Sequence, residues 1–209
     1  MNDLSQTAVI NWVSQARILG YLLAIAWVVS ILNFAVFGKW LNQFGIRPRE
    51  LSGLWGVAFA PFLHGSWGHL ESNSIAFLTY GGLILLQNPQ NFGAVTATVA
   101  LTSGLGTWLL GRDRTIHIGA SGVTFGYLGF LMFLAFFDRN IPTVLLLVFT
   151  AFFHSKYLWG LLPINRRISW EEHLFGFLGG IYAARYLPQL RETFAQFLSF
   201  FDQFAAWIR

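Results

Sequence analysis

The sequence predicts an all-α membrane protein, in which six transmembrane helices form one bundle and the first loop lies in the membrane interface. Composition is the first reason. Of the 209 residues, 55% are hydrophobic and only 11% are charged, whereas a soluble domain carries about 25% charged residues. The mean hydropathy of +0.55, together with 22 phenylalanines and 9 tryptophans, argues equally against a soluble enzyme and against a disordered chain.

The second reason is a series of mostly apolar runs, each near the length of about 20 residues that crosses a bilayer. In chain order the predicted spans cover residues 18–37, 70–86, 92–110, 121–137, 141–162 and 173–187. The first run is too long for a cleaved signal peptide, and no small-residue cleavage motif follows it. We therefore predict one domain over residues 18–187, with an N-terminal interfacial segment (1–17) before it and a C-terminal amphipathic segment (188–209) after it.

Two segments have a different character from the spans. Residues 38–68 mix charged residues and prolines with three tryptophans, and tryptophan is favoured at the membrane interface; this pattern predicts the interfacial first loop. After Pro188, apolar residues recur at helical spacing, which predicts an amphipathic helix on the membrane surface. These residues are Phe194, Phe197, Phe201, Phe204 and Ile208.

The charges and the missing cysteine exclude several functions. The net charge is +4 and the isoelectric point is about 9.8. The 13 basic residues are nevertheless spread along an apolar chain, so they form no basic face for nucleic acid and are interpreted as charges of membrane loops. Without cysteine, the chain has no disulfide, thiolate metal site or thiol nucleophile.

The first polar cluster lies just before the fourth span, where His117, Gly119 and Ala120 lead to Ser121 and Gly122. A serine at the start of a helix is a favoured N-cap, which is a purely structural role. Its flanking glycines also resemble the G-x-S-x-G elbow that exposes a serine hydroxyl, although the spacing here is one residue shorter. Free N–H groups at such a helix start can stabilise an oxyanion. Both interpretations are open at this point.

The second cluster is His173, which opens the sixth span and shares one helical face with Gly176 and Gly180. On the fourth span a similar stripe is formed by Gly122, Gly126 and Gly129. Small residues let membrane helices approach closely, so packing of these two spans would bring the Ser121 hydroxyl within reach of the His173 imidazole. The structural alternative is that a lone histidine in a span serves packing alone.

The third cluster is His69 and Asn73 at the start of the second span, four residues apart and on one face. They are either a hydrogen-bonded pair at a helix start or two donors to a developing negative charge. His64 precedes His69 by five residues, but this spacing lacks the glutamate of H-E-x-x-H and no third ligand is evident. We predict no metal and no cofactor.

Taken together, the three motifs resemble the rhomboid family of intramembrane serine proteases, and the resemblance covers the whole six-span core. It rests on H-x-x-x-N in the second span, G-x-S-G in the fourth and a histidine with trailing glycines in the sixth. The resemblance implies a catalytic dyad in which Ser121 is the nucleophile and His173 the general base. It also implies an oxyanion hole formed by the His69 and Asn73 side chains and the Ser121 backbone N–H, close to Gly119.

The resemblance further implies that His64 is a structural histidine, and that residues 161–170 form a cap over the active site. Two positions depart from the family pattern. Trp55 is followed by Gly56, whereas many members have Trp-Arg in the first loop. Phe125 stands where many members place a tyrosine against the catalytic histidine, so this ring can stack on His173 but cannot hydrogen-bond to it.

The implied activity is an endopeptidase that cuts single-span transmembrane proteins in the bilayer. The substrate must unwind, because a helix hides its own carbonyl groups. Glu171 and Glu172 adjoin His173, but their helical positions turn them away from its face, so we predict a dyad without a third member. One alternative is an inactive rhomboid-like protein that binds transmembrane clients; another is a transporter, which would distribute its polar groups along a path.

The positive-inside rule and the family resemblance predict opposite orientations of the protein in the membrane. The six spans place both termini on one side of the membrane and the three motifs on the other. Basic residues on the terminal side are Arg17, Arg139, Arg185, Arg191 and Arg209; those on the motif side are Lys39, Arg47, Arg49, Arg112, Arg114, Arg166 and Arg167, together with Lys156. The positive-inside rule would place the motifs in the cytoplasm. The resemblance implies a multi-pass protein of a bacterial inner membrane with its active site toward the outside, and we follow the resemblance because several of these charges lie in folded loops.

Overall fold

A computed structural model describes residues 3–165 and 168–208 of the chain and confirms the all-helical class. The helices are α1 (Asp3–Ala35), α2 (Gly56–Phe59), α3 (Trp67–Gln87), α4 (Pro89–Leu110), α5 (Ser121–Phe137), α6 (Ile141–His154), α7 (Trp170–Arg185) and α8 (Leu187–Ile208). Four 3-10 segments complete them: Trp40–Phe44, Leu51–Trp55, Ala60–Phe62 and Ser155–Leu161. Within the described residues, extended pairing is limited to one isolated bridge between Ile46 and His117.

The long helices coincide with the predicted spans. Within the described part of the chain, three helical stretches are long and apolar enough to cross a membrane: Asn11–Ala35, Pro89–Leu110 and Ile141–Leu161. The other predicted spans fall on α3, α5 and α7. Helix α1 continues without a break across residues 17 and 18, where the sequence suggested a division. The fifth predicted span is divided into α6 and a 3-10 segment, at the point where His154, Ser155 and Lys156 interrupt its apolar run.

Helix α5 lies at the centre of the bundle because it is apolar on every side, which is typical of a fully buried helix. Tyr127, Phe130 and Leu131 are completely buried, and they pack among side chains from α3, α4 and α7. The Tyr127 hydroxyl lies 2.7 Å from Thr96 Oγ1 on α4, so the buried phenol has a partner. This core fixes the start of α5, where Ser121 stands.

Backbone packs directly on backbone between α5 and α7. A Cβ atom at Gly176 would collide with the carbonyl oxygen of Gly122, and one at Gly180 with that of Gly126. A Cβ atom at Gly129 would likewise collide with the carbonyl oxygen of Phe177. The two predicted glycine stripes therefore face each other, and the close approach of these helices depends on the missing side chains.

The first loop, in which Trp55 is followed by Gly56, is anchored by Arg49. Its guanidinium donates to the carbonyl oxygens of Leu109 (2.9 Å) and Gly111 (2.8 Å) and also contacts Asp113. In addition, the backbones of Ile46 and His117 exchange two hydrogen bonds of 2.9 Å. The loop is thus tied to the end of α4 and to the segment that leads to Ser121.

The C-terminal helix α8 follows α7 directly and packs on α4, where a Cβ at Gly93 would lie 2.5 Å from the Phe194 ring. Phe197, Phe201 and Phe204 each remain about half exposed, at 55%, 50% and 49%. The predicted apolar stripe therefore lies on the exposed face of α8. Its contact with the membrane surface stays a prediction.

Candidate active site

The Ser121 hydroxyl and the His173 ring form a direct hydrogen bond. Ser121 is the first residue of α5, His173 lies in the first turn of α7, and 2.9 Å separates Ser121 Oγ from His173 Nε2. Ala120 occupies the N-cap position of α5, and no side chain caps that helix. The hydroxyl therefore serves the histidine and not the helix end, and the glycine-lined contact between α5 and α7 brings the two groups together.

The His173 ring is oriented by a backbone carbonyl and an aromatic ring. Its Nδ1 lies 3.0 Å from the Gly160 carbonyl oxygen, at the end of the segment Ser155–Leu161. Since a carbonyl only accepts hydrogen bonds, Nδ1 carries the proton and Nε2 is free to accept from Ser121. Phe125 stacks on the imidazole, with ring centroids 4.0 Å apart and planes inclined by 8°.

Neither glutamate beside His173 contacts the ring in the described contacts. Glu171 is 2% exposed and accepts from Arg112, with Nε–Oε1 at 2.6 Å and Nη2–Oε2 at 3.3 Å. Arg112 Nη2 also donates to the Ile168 carbonyl at 3.0 Å. This partly buried ion pair joins the segment before Ser121 to the start of α7. Glu172 is equally buried, and its backbone carbonyl accepts from Ser103 Oγ at 3.0 Å.

His69 and Asn73 direct two donor groups at Gly119. The Ser66 hydroxyl caps α3 by accepting from the His69 N–H at 3.2 Å, which sets the first turns of the helix. Gly119 has φ +117°, a value that L-residues with a side chain rarely adopt. A Cβ atom there would lie 2.6 Å from His69 Nε2 and 3.1 Å from Asn73 Nδ2. Glycine thus leaves open a space that both donors face, beside the nucleophile.

Asn73 is the unusual member of this pair. It is 7% exposed, and its Nδ2 is buried without a hydrogen-bond partner among the described residues. A pair bonded to each other at a helix start, the structural alternative, would leave no such donor. An unsatisfied buried donor is costly and requires an explanation; a ligand oxygen bound beside Ser121 would supply the missing acceptor.

His64 supports His69 from behind. The His64 ring is 1% exposed; its Nδ1 lies 3.1 Å from Ser30 Oγ, and its ring meets His69 edge to face at 5.1 Å. Burial, with a smaller contribution from the nearby His69, lowers the pKa of His64 to about 4. His64 is therefore neutral at physiological pH and adds no positive charge next to His69.

All four candidate catalytic groups line one open cavity of about 640 Å³. The cavity is the space in which a substrate segment would reach Ser121, and its wall includes Gly160 and Phe125. Among the described residues, no three histidine, aspartate or glutamate side chains are arranged so that they could hold a metal ion.

Two contacts at this site were not predicted from the sequence, the one between the Gly160 carbonyl and His173 and the ion pair between Arg112 and Glu171. A backbone acceptor such as the Gly160 carbonyl leaves no mark in the sequence. Arg112 and Glu171 are 59 positions apart, and only the approach of the α4–α5 connection to α7 pairs them. The glutamate next to His173 was the available signal, because a buried carboxylate in a membrane bundle requires a partner.

Asn73→Ala is expected to lower kcat by about 10²–10³-fold if this side chain donates one bond to the oxyanion. The KM should change little, because that bond forms in the transition state. Kinetics of peptide cleavage by the purified variant would measure the effect. Asn91→Ala removes an equally buried asparagine on α4 and is the matched control. An Asn73 variant as active as this control would assign Asn73 a structural role.

Comparisons with known proteins show which family the chain is similar to. Residues 51–189 match the model of the Rhomboid domain family. The chain is 36% identical over 182 residues to an uncharacterized protein of Mycobacterium tuberculosis. The aligned region covers 83% of this chain and 75% of the relative. The chain is 38% identical over 152 residues to an uncharacterized protein of Mycobacterium leprae, covering 69% and 60%. It is also 29% identical over 179 residues to the Bacillus subtilis protein named "Putative rhomboid protease YdcA", covering 81% and 86%.

Proposed function

The chain belongs to the rhomboid family, and from this premise we propose that it is an intramembrane serine endopeptidase. The observation that carries the proposal is the 2.9 Å hydrogen bond between Ser121 Oγ and His173 Nε2, beside two donors that converge on Gly119. A serine hydroxyl is a weak nucleophile until a neighbouring base accepts its proton. Both groups stand at helix ends inside an apolar bundle, within reach of a substrate in the membrane.

The reaction follows from the roles of these atoms. His173 Nε2 takes the hydroxyl proton as Ser121 Oγ attacks the scissile carbonyl carbon, and the Gly160 carbonyl holds Nδ1–H during the transfer. The negative charge that develops on the substrate oxygen is stabilised by His69, Asn73 and the Ser121 N–H. His173 then gives the proton to the leaving amine, and an acyl ester on Ser121 remains. A water molecule, deprotonated by His173, hydrolyses that ester and restores the dyad.

Membrane topology completes the proposal. We propose that all six helices α1 and α3–α7 cross the bilayer, with α8 on its surface. The substrates would be proteins with a single transmembrane helix, which reach the cavity from the lipid and bind as extended chain, because the carbonyls of an intact helix are hydrogen-bonded. Such a protein is an integral membrane enzyme of the bacterial inner membrane.

The experiment that tests the activity is a cleavage assay in detergent with a panel of transmembrane peptides, in which mass spectrometry locates each cut. A fluorophosphonate probe for activated serines should label the same preparation. Peptides that bind but stay intact, with no probe labelling, would contradict the protease and support the alternative of a client-binding protein.

The proposed orientation is supported by the contacts of the basic residues in the loops. Arg49 and Arg112 on the motif side are engaged in folded contacts, and Arg47 lies 3.7 Å from Glu50. The positive-inside rule applies best to short flexible loops, so these charges weigh less than their number suggests. Three of the basic residues counted for the positive-inside rule lie outside the described residues: Arg166, Arg167 and Arg209. We propose that the active site faces the extracytoplasmic side.

Single cysteines test this orientation without background labelling, because the chain has no cysteine. Ser66 precedes α3 on the motif side, Asn140 precedes α6 on the other side, and both are exposed. On intact cells, a membrane-impermeant thiol reagent should label Ser66→Cys and spare Asn140→Cys. After cell lysis both should react, which controls for reactivity. The reverse pattern on intact cells would place the active site in the cytoplasm.

A further inference from the structure

Part of the catalytic cavity is formed by a cluster of hydrogen-bond donors that the proposed chemistry does not use. Tyr80 on α3 meets His154 at the end of α6 edge to face, with ring centroids 5.1 Å apart. His154 stacks on Tyr157 at 6.1 Å, and Lys156 Nζ lies 5.5 Å from the Tyr157 ring centroid. We call these four residues the donor cluster. Tyr80, Lys156 and Tyr157 line the same cavity as Ser121 and His173.

No negative charge in the described structure balances this cluster. Among the residues that the structure describes, no aspartate or glutamate lines the cavity, and Lys156 is the one formally charged residue of its wall. Lys156 forms no ion pair with a described residue. Tyr80 is 4% exposed, yet its hydroxyl donates to no group in the described part of the chain. Because Tyr80 lines the cavity, its hydroxyl can donate a hydrogen bond to a ligand oxygen bound there.

Lys156 is exposed and lines the catalytic cavity, and ionisable groups in a membrane bundle usually pair with one another or mark a substrate path. Lysine carries only donors, and the tyrosine hydroxyls can donate beside it. A carboxylate accepts such bonds and forms a charge-assisted pair with the ammonium. On the basis of the proposed function, we propose that the donor cluster binds the carboxylate side chain of an aspartate or glutamate in the substrate.

The position of the cluster defines where that carboxylate lies in the substrate. Tyr80 follows the oxyanion residue Asn73 by seven positions on α3, a distance of about 10 Å along a helix that rises 1.5 Å per residue. An extended substrate advances about 3.3 Å per residue. The acidic residue is therefore about three residues from the scissile bond, in a segment that is otherwise apolar.

The test is a set of transmembrane peptides that differ only by aspartate, asparagine or lysine at each position within five residues of the cut. Wild-type enzyme in a neutral detergent should cleave the best aspartate peptide with kcat/KM about tenfold above its asparagine counterpart, the size expected for a hydrogen bond to a charged group. Most of this difference should be in KM. Lys156→Met should remove the preference, and Lys156→Glu should reverse it in favour of lysine. Tyr80→Phe should reduce it.

Lys39→Glu is the matched control, because Lys39 is a cation of the first loop that does not line the cavity; its aspartate preference should equal that of wild type. Labelling by the serine probe verifies that each variant keeps its active site. Equal cleavage of aspartate and asparagine peptides at every position would overturn the proposal, as would a preference that persists in Lys156→Glu. Failure of the proposed protease function would look different, since wild type would then cleave no peptide of the set.

Discussion

Ser121→Ala is expected to abolish cleavage, with a loss in kcat of about 10⁶-fold, the size measured when the nucleophile of a soluble serine protease is removed. The physical reason is that, among the described residues, no other group in the cavity both bonds to His173 Nε2 and can form the acyl ester. His173→Ala should cause a loss of similar size, because the hydroxyl would then have no base. Neither side chain contributes much apolar area to the core, so both variants should stay folded, as measured by their helical content.

The measurement is cleavage of a transmembrane peptide by purified protein, together with labelling by the fluorophosphonate probe, which both variants should lose. Ser169→Ala is the matched control, because Ser169 lines the same cavity and its side chain forms no cap at α7; this variant should remain active. More than a few per cent of wild-type cleavage by Ser121→Ala would refute the assignment of the nucleophile.

Gly176→Val should inactivate the enzyme to a comparable degree, although it removes no chemical group. A Cβ at Gly176 would overlap the Gly122 carbonyl oxygen and lie 2.8 Å from the Gly122 carbonyl carbon. Both atoms belong to backbone that cannot rotate away, so α7 must shift relative to α5 and His173 must move from Ser121. A displacement of about 1 Å at a catalytic group already costs about 10²-fold in rate, and a branched side chain requires more.

Gly82→Val is the matched control for the valine, because a Cβ at Gly82 on α3 meets no atom within 4 Å. Cleavage rate, probe labelling and helical content would be compared for the two variants. Gly176→Ala, which adds only the colliding Cβ, covers the case in which the valine variant does not fold. If Gly176→Val cleaved as fast as Gly82→Val, the contact between α5 and α7 would not hold the dyad.

Local patterns in the sequence were sufficient for much of the site. The helices follow from apolar runs of the right length, and helix α5 begins at Ser121 as predicted. The spacing of His69 and Asn73 places both on one face of α3, and the glycine stripes on α5 and α7 predict a close helix contact. Each of these inferences depends on residues within one contiguous run of about 20 residues or fewer, which is why they could be made without a structure.

Other features required the tertiary structure. The Gly160 carbonyl that orients His173 is a backbone atom, and every residue has one, so no sequence pattern singles it out. The pairing of Arg112 with Glu171 and the anchoring of the first loop by Arg49 each required a choice among 13 basic residues. The donor cluster joins α3 to the end of α6 across more than 70 positions of chain.

The sequence by itself thus determined which residue types can perform the chemistry and which helices carry them, because helical periodicity is a local property of the chain. The tertiary structure alone decided which carbonyl holds the imidazole, which carboxylate neutralises Arg112 and which donors are left without an acceptor. These choices depend on the distances between segments far apart in sequence, and those distances are set by the packing of the whole bundle.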